Sequence, residues 1–515
     1  MVDTRSSRAR RRRTALAGVV LAAVLAPGAT AQVGRPAAQR IELTLERMVE
    51  LGLRDSYRVR QLQLEVERTR ALLQAERAGL KSRVELEIAA PEFQAISENK
   101  WNSDLGRNEL VAENTRRYQF DLSVRQPVVL FGFPTNGYLS LNNRVYRYAQ
   151  LDGNERDLRY YNRYFIGYDQ PLFQPNRMKN DLEEAELDLE SSELDYRDDV
   201  VGMIDDLAGD YYELVEDAYR RDIAIRTAAR IEEAAQAAEA VVAADATRQI
   251  ELSQLQVELA NAREERDQTL SNLRLQIESL KQRLQLSPSD VVDISSNLDV
   301  IPVKVDPEQA IELARTLAPR LRQLDINLRE NEINLSETKG QDSFRVNLGF
   351  TYGREVQDPR FRNLLREPRN SYTFDVTATV PIWDWGERSH RIRASQYSLD
   401  RTMLSIEETK TEIESNVRSQ VRTLDEFASR LANMQQTVRL ARENTISTLD
   451  RYRIGGATLV DLLQTISRET NTEENFLNTY TGYQETLLRL QQLTYYDFES
   501  DMPIVERFSI VTGKN

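Results

Sequence analysis

Two long stretches of this chain interleave charged and apolar residues and contain no proline. Each runs for 67 residues, at 176–242 and 386–452. Apolar residues recur every seven positions, as at Leu187, Leu194 and Val201, a spacing typical of helices that pack side by side. At 1.5 Å per residue each helix would be about 100 Å long. Helices of this length are rare in soluble globules, so the pattern predicts rods packed against neighbouring helices.

Shorter stretches alternate apolar with polar or small residues. This period of two is typical of β-strands that have one apolar face. A turn with Gly and Pro is predicted at 133–137, between two of these stretches. The predicted strands comprise 84–88, 118–124, 138–148, 163–168, 346–352 and 372–380.

The chain contains an internal duplication. Residues 44–88 align without gaps on 306–350, and residues 171–284 align on 381–494. The two offsets, 262 and 210, differ by 52, so the first half carries 52 extra residues between Ile88 and Pro171. The repeated unit is helix, strand, strand and long helix, and the insertion predicts an extra β-hairpin at about 93–159.

The N-terminus resembles a secretory signal peptide. Six Arg residues within 1–13 precede an apolar run at 14–25, and the small residues at 29–31 form a cleavage site before Gln32. A membrane anchor and a basic tail are the alternatives. The predicted divisions are a signal peptide (1–31), an N-terminal linker (32–42), a first repeat (43–290), an inter-repeat linker (291–305), a second repeat (306–496) and a C-terminal tail (497–515).

Composition excludes several kinds of catalytic and metal site. The chain has no Cys and one His, His390, so it lacks the residues for disulfides, thiolate metal sites or a histidine-based triad. We expect no catalytic residue, cofactor or metal. An S-x-x-K match at Ser336 and Lys339 has no supporting motif, so a hydrolase is the weakest alternative. Removing 1–31 changes the net charge from −14 to −19, which disfavours nucleic acid as a partner.

The same kind of turn leads from strand to rod in both halves. Pro171 and Asn176 occur in the first half, and Pro381 and Gly386 occur at the matching positions of the second. Proline fixes the turn, and Asn or Gly at the last position permits a left-handed backbone. The repetition indicates an architectural role.

The predicted strands fit a transmembrane β-barrel. Strands of about nine to eleven residues with one apolar face and aromatic residues near their ends fit such a barrel. A soluble β-sandwich is the alternative. One chain has too few strands to close a wide barrel, so several copies must contribute, because an open sheet edge is costly in lipid. We therefore predict a mainly α fold with a transmembrane β portion.

These features resemble the TolC-like outer-membrane efflux proteins. The segments 170–173 and 380–386 enter the rods, and 451–464 is similar to the family's periplasmic turn of the form R-Y-x-x-G-x-x-T-x-x-D-x-L. The resemblance covers about 42–496. It implies a homotrimer that forms an α/β-barrel duct, with an outer-membrane β-barrel and a periplasmic α-helical barrel.

The resemblance also implies a gate at the periplasmic tip. Tyr452 would hold the tip closed, and three Asp461 carboxylates would form a ring that favours cations. Asp461 could instead be a solvated helix-start residue. Gln464 and Ala457 depart from the family pattern, so the charges at the tip are arranged differently. The predicted adaptor-docking residues at the two tip turns are Thr247, Glu251, Leu252, Gly455, Gly456, Thr458 and Leu462.

The implied function is a passive exit duct for efflux or type I secretion. Its partners would be its own copies, outer-membrane lipid, a periplasmic adaptor (membrane fusion) protein and an inner-membrane pump. One alternative is a periplasmic adaptor, which would have lipoyl-like and small β-barrel domains around a single hairpin. Another is a structural coiled-coil envelope protein, which would not need amphipathic strands.

Overall fold

A computed structural model describes residues 40–54, 56–102, 106–152, 155–244, 248–298 and 302–508. The predicted signal peptide at 1–31, most of the predicted linker at 32–42 and the predicted docking residue Thr247 lie outside these ranges. The chain is mainly helical and carries one large antiparallel sheet, as predicted.

Two very long helices dominate the fold. They have 68 and 67 residues, which confirms both predicted rods and makes each about 100 Å long. None of the helices in the described ranges is apolar enough over a sufficient length to cross a membrane. The helices are α1 (Leu45–Arg54), α2 (Tyr57–Gly79), α3 (Arg177–Ala244), α4 (Gln249–Arg283), α5 (Pro307–Leu317), α6 (Pro319–Gly340), α7 (Glu387–Arg453), α8 (Leu459–Thr494) and α9 (Ile504–Arg507).

The helices repeat at the two offsets read from the sequence. Helices α3 and α7 begin 210 residues apart, and so do α4 and α8. Helices α2 and α6 begin 262 residues apart. Each half therefore supplies two short helices and one long hairpin, and the hairpins α3–α4 and α7–α8 pack along each other.

Six strands form the large sheet in the order β2-β3-β4-β5-β7-β8, with every neighbouring pair antiparallel. The first half supplies four of them and the second half two, so the insertion adds strands inside the sheet. The strands of the chain are β1 (Arg40–Leu43), β2 (Arg83–Asn102), β3 (Arg107–Leu130), β4 (Phe133–Asp152), β5 (Glu155–Leu172), β6 (Val291–Ile294), β7 (Arg345–Asp358), β8 (Arg369–Thr379), β9 (Tyr496–Asp497) and β10 (Met502–Pro503).

The turn predicted at 133–137 is wrong. The chain reverses at Phe131 and Gly132, whose φ angles are 52° and 87°, and 133–137 belongs to β4. Two consecutive positive φ angles give a hairpin turn whose twist matches that of the strands. The sequence pointed to Pro134 and Gly137, but the tight reversal needs only one glycine.

One face of this sheet carries a belt of apolar residues that crosses all six strands. A single hydrogen-bonded row joins Val84, Val124, Leu141, Ile166, Tyr352 and Tyr372. A row on the other face joins Glu87, Asp121, Arg144, Arg163, Glu355 and Arg369. Many large apolar side chains on the first face are exposed, including Val84 at 64% and Leu141 at 52%. The alternating pattern of each strand is therefore in register with that of its neighbours.

The described parts of the segments predicted as linkers and tail are folded. Strand β1, from the predicted N-terminal linker, pairs in parallel with β6, from the predicted inter-repeat linker. Strands β9 and β10 and helix α9 contain the first part of the predicted tail, and Ile504 is buried. These segments join the larger apolar cluster, where α1, α3, α5, α7 and α8 meet. Apolar residues such as Leu43 and Val292 explain why they fold there.

The two strand-to-rod turns start their helices in different ways. Gly386 precedes α7 with φ 84°, as predicted. Asn176 does not adopt a left-handed backbone; its side-chain oxygen accepts a hydrogen bond from Lys179 N at 3.1 Å, which caps α3. Pro171 lies near the end of β5, and Pro381 follows β8.

Candidate functional site at the helical tip

The turn between α7 and α8 ends one helix with a Schellman motif. Gly455 has φ 76°, its N–H donates to Tyr452 O at 3.0 Å, and Gly456 N donates to Arg451 O at 2.7 Å. This is the pattern in which a left-handed residue after the helix satisfies the last carbonyls. Both glycines are exposed. Gly455 therefore supplies the left-handed backbone that this turn requires, and Gly456 supplies its second hydrogen bond.

Helix α8 begins with a capping box. Asp461 N donates to the Thr458 hydroxyl at 3.2 Å, and Thr458 N donates to the Asp461 carboxylate at 3.1 Å. The Thr458 hydroxyl also donates to that carboxylate at 2.7 Å, and these bonds lower the pKa of Asp461. Asp461 is exposed and ionised. Asp461 thus caps the start of α8, the alternative role considered for it.

Tyr452 is fully buried at the end of α7. Its hydroxyl donates to Glu251 Oε2 at 3.1 Å, a contact between residues 201 positions apart. The Arg248 guanidinium carbon lies 5.5 Å from the centre of the Tyr452 ring, and its nitrogen lies 2.7 Å from Glu251. Burial, followed by the bond to Glu251, raises the pKa of Tyr452 to about 12. The phenol is therefore protonated at neutral pH and remains a donor.

The three residues Tyr452, Glu251 and Arg248 tie the two hairpins together at their tips. Arg248 and Glu251 lie 210 positions before Thr458 and Asp461, so an ion pair in the first turn replaces the capping box of the second. Glu251 is a predicted docking residue and Tyr452 a predicted gate residue. The structure brings these two residues into contact. Thr247 lies just before Arg248, outside the described residues.

The predicted docking residue Leu462 is fully buried. It packs with Tyr452, Leu255 and Ile466 in the apolar cluster of the tip, and Leu252 packs partly buried against the same cluster. A side chain with no exposed surface has no contact to offer a partner in this conformation. Leu462 holds the hairpins together, because its position one residue after Asp461 turns it towards the other helices.

Three exposed aliphatic residues of the tip were missed. Ile454 is 84% exposed, Val460 is 73% exposed and Ile250 is 71% exposed. Ile250 and Val460 are 210 positions apart, so they are equivalent in the duplication. That matched pair was visible in the alignment of the two halves. Arg248 was missed too, and no sequence signal pairs it with Tyr452.

A second candidate surface lies where the sheet meets the rods. Large aromatic residues are exposed there: Phe131 at 99%, Phe173 at 70%, Trp383 at 74% and Trp385 at 88%. The two tryptophan rings contact each other edge to face, 5.4 Å apart. Tryptophan and other aromatic residues at one level of an apolar sheet are typical of a membrane interface.

Acidic residues are numerous, but in the ranges that the structure describes no three His, Cys, Asp or Glu side chains form a group suited to a metal ion. The candidate functional features of the described residues are two surfaces, the tip of the helical hairpins and the apolar face of the sheet. The sequence model of the outer membrane efflux protein family matches residues 310–494, the second repeat. The second repeat therefore has the sequence pattern of the outer membrane efflux proteins, the family that the sequence resembles.

One known protein is similar to this chain in sequence, and several solved structures are similar to it in fold. Over 176 residues it is 22% identical to the outer membrane protein TolC of Vibrio cholerae, an alignment that covers 34% of this chain and 39% of that protein. The Campylobacter jejuni CmeC outer membrane channel has a TM-score of 0.63 at 14% identity, with 90% and 89% of the two chains covered.

Two further crystal structures share the fold. CusC has a TM-score of 0.62 at 12% identity, with 90% of this chain and 95% of CusC covered. The Neisseria gonorrhoeae MtrE outer membrane channel in its open state has a TM-score of 0.57 at 14% identity, with 87% and 88% covered. At these identities the likeness extends to the fold, including both repeats.

Proposed function

We propose that this chain is one protomer of a homotrimeric channel-tunnel in the outer membrane, a passive exit duct for a tripartite efflux or type I secretion system. The observation that carries the proposal is the apolar sheet face in register over six strands, joined to two helical hairpins. The sheet would be embedded in the outer membrane, and rods of about 100 Å would reach across the periplasm.

The apolar face would contact lipid, and the polar face would line water. Val84, Leu141 and Ile166 would lie on the lipid side, and the charged row through Asp121 and Arg144 on the water side. Burial of exposed apolar side chains in lipid removes them from water, which is the favourable term in such embedding. The exposed Trp383 and Trp385 would mark the periplasmic interface.

The tie between Tyr452 and Glu251 would hold the tip closed. Because it joins the second hairpin to the first, the hairpins cannot separate without breaking it. Three exposed Asp461 carboxylates would face the constriction and favour cations. Opening is a two-state shift, which an adaptor can bias only by binding the open tip more tightly than the closed one.

An adaptor protein would dock at the tip turns, and an inner-membrane pump would supply the energy. The exposed surface there comprises Gly455, Gly456 and Thr458, flanked by Ile454 and Val460. Ile250, three residues after Thr247 in the sequence, would provide the equivalent contact on the first turn. Leu252 is already partly exposed, whereas Leu462 would become accessible only when the tip opens. Apolar side chains in a polar rim suit a protein partner.

The proposal is tested by fractionation and mass measurement of the full-length protein. We expect it to sediment with outer membranes, to need detergent for extraction and to have the mass of three chains by light scattering after correction for detergent. In planar bilayers it should give discrete conductance steps. A monomer that remains soluble without detergent would rule the duct out.

A further inference from the structure

The sheet has two open edges, β2 and β8. The strand order is β2-β3-β4-β5-β7-β8 and every neighbouring pair is antiparallel, so the two edge strands run in opposite directions. The outer edge of β8 can therefore pair with β2 of a second copy in the same antiparallel pattern. In lipid, open edges leave backbone N–H and C=O groups without partners, so such pairing is required.

The number of strands per chain is set by the insertion. At the offset of 262, β2 and β7 begin at matching residues, and at 210 Pro171 matches Pro381. Strands β3 and β4 therefore have no counterpart in the second half. Because they lie between β2 and β5 and pair on both sides, they belong to the sheet wall. An added hairpin that capped the channel would pair on one side at most.

The apolar surface crosses the sheet diagonally. In the part of β2 before the register shift between Ala89 and Glu92, the exposed apolar residues centre on Leu86, and those of β8 centre on Phe374. The hydrogen-bonded row that begins at Leu86 ends at Asn370, four residues from Phe374. The belt thus shifts by nearly one residue at each of five steps. With a rise of about 3.4 Å and a strand spacing of about 4.8 Å, this slope means a strand tilt of roughly 30°, close to that of barrel strands.

Resting on the proposed trimer, we infer that three six-stranded sheets close into one 18-stranded barrel, in which β8 of each copy pairs with β2 of the next. The belt should continue across the seam with the same shift of about one residue per strand. Because apolar side chains must stay on one face, this shift places Phe374 opposite Ile88 of the neighbouring copy. Val376 then lies opposite Leu86 across the same seam.

The inserted strands widen the duct. Without β3 and β4 three copies would supply 12 strands, and barrel diameter grows roughly in proportion to strand number, so the barrel is about half as wide again. Barrels of about 16–18 strands leave an aqueous channel, whereas six strands are too few to close around side chains. The narrow point of the duct is therefore the helical tip, and the β section admits bulky solutes.

The lack of cysteine makes the seam directly testable. The full-length Ile88→Cys/Phe374→Cys variant, oxidised in outer-membrane vesicles, should run as covalent dimers and trimers on non-reducing gels. Paired residues on neighbouring strands are close enough for a disulfide. The matched Val84→Cys/Phe374→Cys variant, displaced by four residues, should remain monomeric, as should Ile88→Cys alone.

Strand counting by cryo-electron microscopy of the wild-type protein provides the second measurement. We expect 18 strands in one barrel. The inference would be overturned by a barrel of twelve strands with β3 and β4 outside the wall. It would also be overturned if Val84→Cys/Phe374→Cys formed cross-links and Ile88→Cys/Phe374→Cys did not. Neither result would contradict the trimeric duct. A protein that is monomeric by mass would instead refute the proposed duct itself.

Discussion

The hydrogen bond from Tyr452 to Glu251 gives a sharp test of the gate. Tyr452→Phe removes only the hydroxyl and keeps the buried ring in the tip cluster. A hydrogen bond to a charged group contributes about 1.5–3 kcal/mol. The lower end applies, because Glu251 keeps its ion pair with Arg248 at 2.7 Å and is not left alone. The closed tip should lose about 1.5 kcal/mol per chain.

If all three ties must break together, the trimer loses about 4.5 kcal/mol. Each 1.4 kcal/mol is a factor of ten, so the ratio of closed to open tips should fall roughly a thousandfold. The assay is single-channel recording in planar bilayers. We expect Tyr452→Phe to raise the open probability or the mean conductance well above the wild-type value.

The matched control is Tyr483→Phe. Tyr483 is also fully buried, but its hydroxyl accepts a hydrogen bond from Val303 N at 3.0 Å in the larger apolar cluster. Its loss should reduce stability without changing the gate. If Tyr452→Phe conducts like the wild type and like Tyr483→Phe, the tie does not keep the tip closed and the reasoning fails.

Three further substitutions test the sheet, the core and the turn. Leu141→Lys should reduce the amount assembled in the outer membrane, because a charge facing lipid costs about 2–4 kcal/mol, while the adjacent Asn142→Lys on the polar face should assemble normally by quantitative blotting. Glu473→Gln should lower the free energy of unfolding by about 1.5–3 kcal/mol in denaturant titrations, since the buried Glu473 accepts hydrogen bonds from two partly exposed arginines at 2.5 and 2.6 Å; unchanged stability would contradict this. Gly455→Ala should cost about 1–2 kcal/mol from its left-handed backbone and speed hydrogen exchange in the turn. Gly456→Ala, where an added methyl group comes no closer than 3.4 Å, should exchange as the wild type does.

Most of the secondary structure followed from local periodicity. Side chains return to the same face every 3.6 residues on a helix and every two residues on a strand, so the spacing of apolar residues identifies the apolar face of each element. This is why both rods and the alternating strands were predictable, and why the duplication located the matching ends of α3 and α7. The tight turn at Phe131 was not predictable, because a single glycine there resembles many others.

The contacts of the candidate site depended on tertiary structure. Tyr452 was singled out from its motif, but its partners Glu251 and Arg248 lie about 200 positions away, and only the packing of one hairpin on the other brings them together. Leu462 is a second example of a residue whose surroundings its motif does not reveal. Its motif suggested a docking residue, and helix packing buries it.

By itself, the sequence determined the two rods, the repeated unit and the alternating faces of the strands, because each of these depends on residues near one another in the chain. The tertiary structure decided what depends on register between distant segments. It aligned Val84 with Tyr372 across six strands, paired β1 with β6 and joined the tips through Tyr452. Register is set by packing over the whole interface, which no single segment encodes.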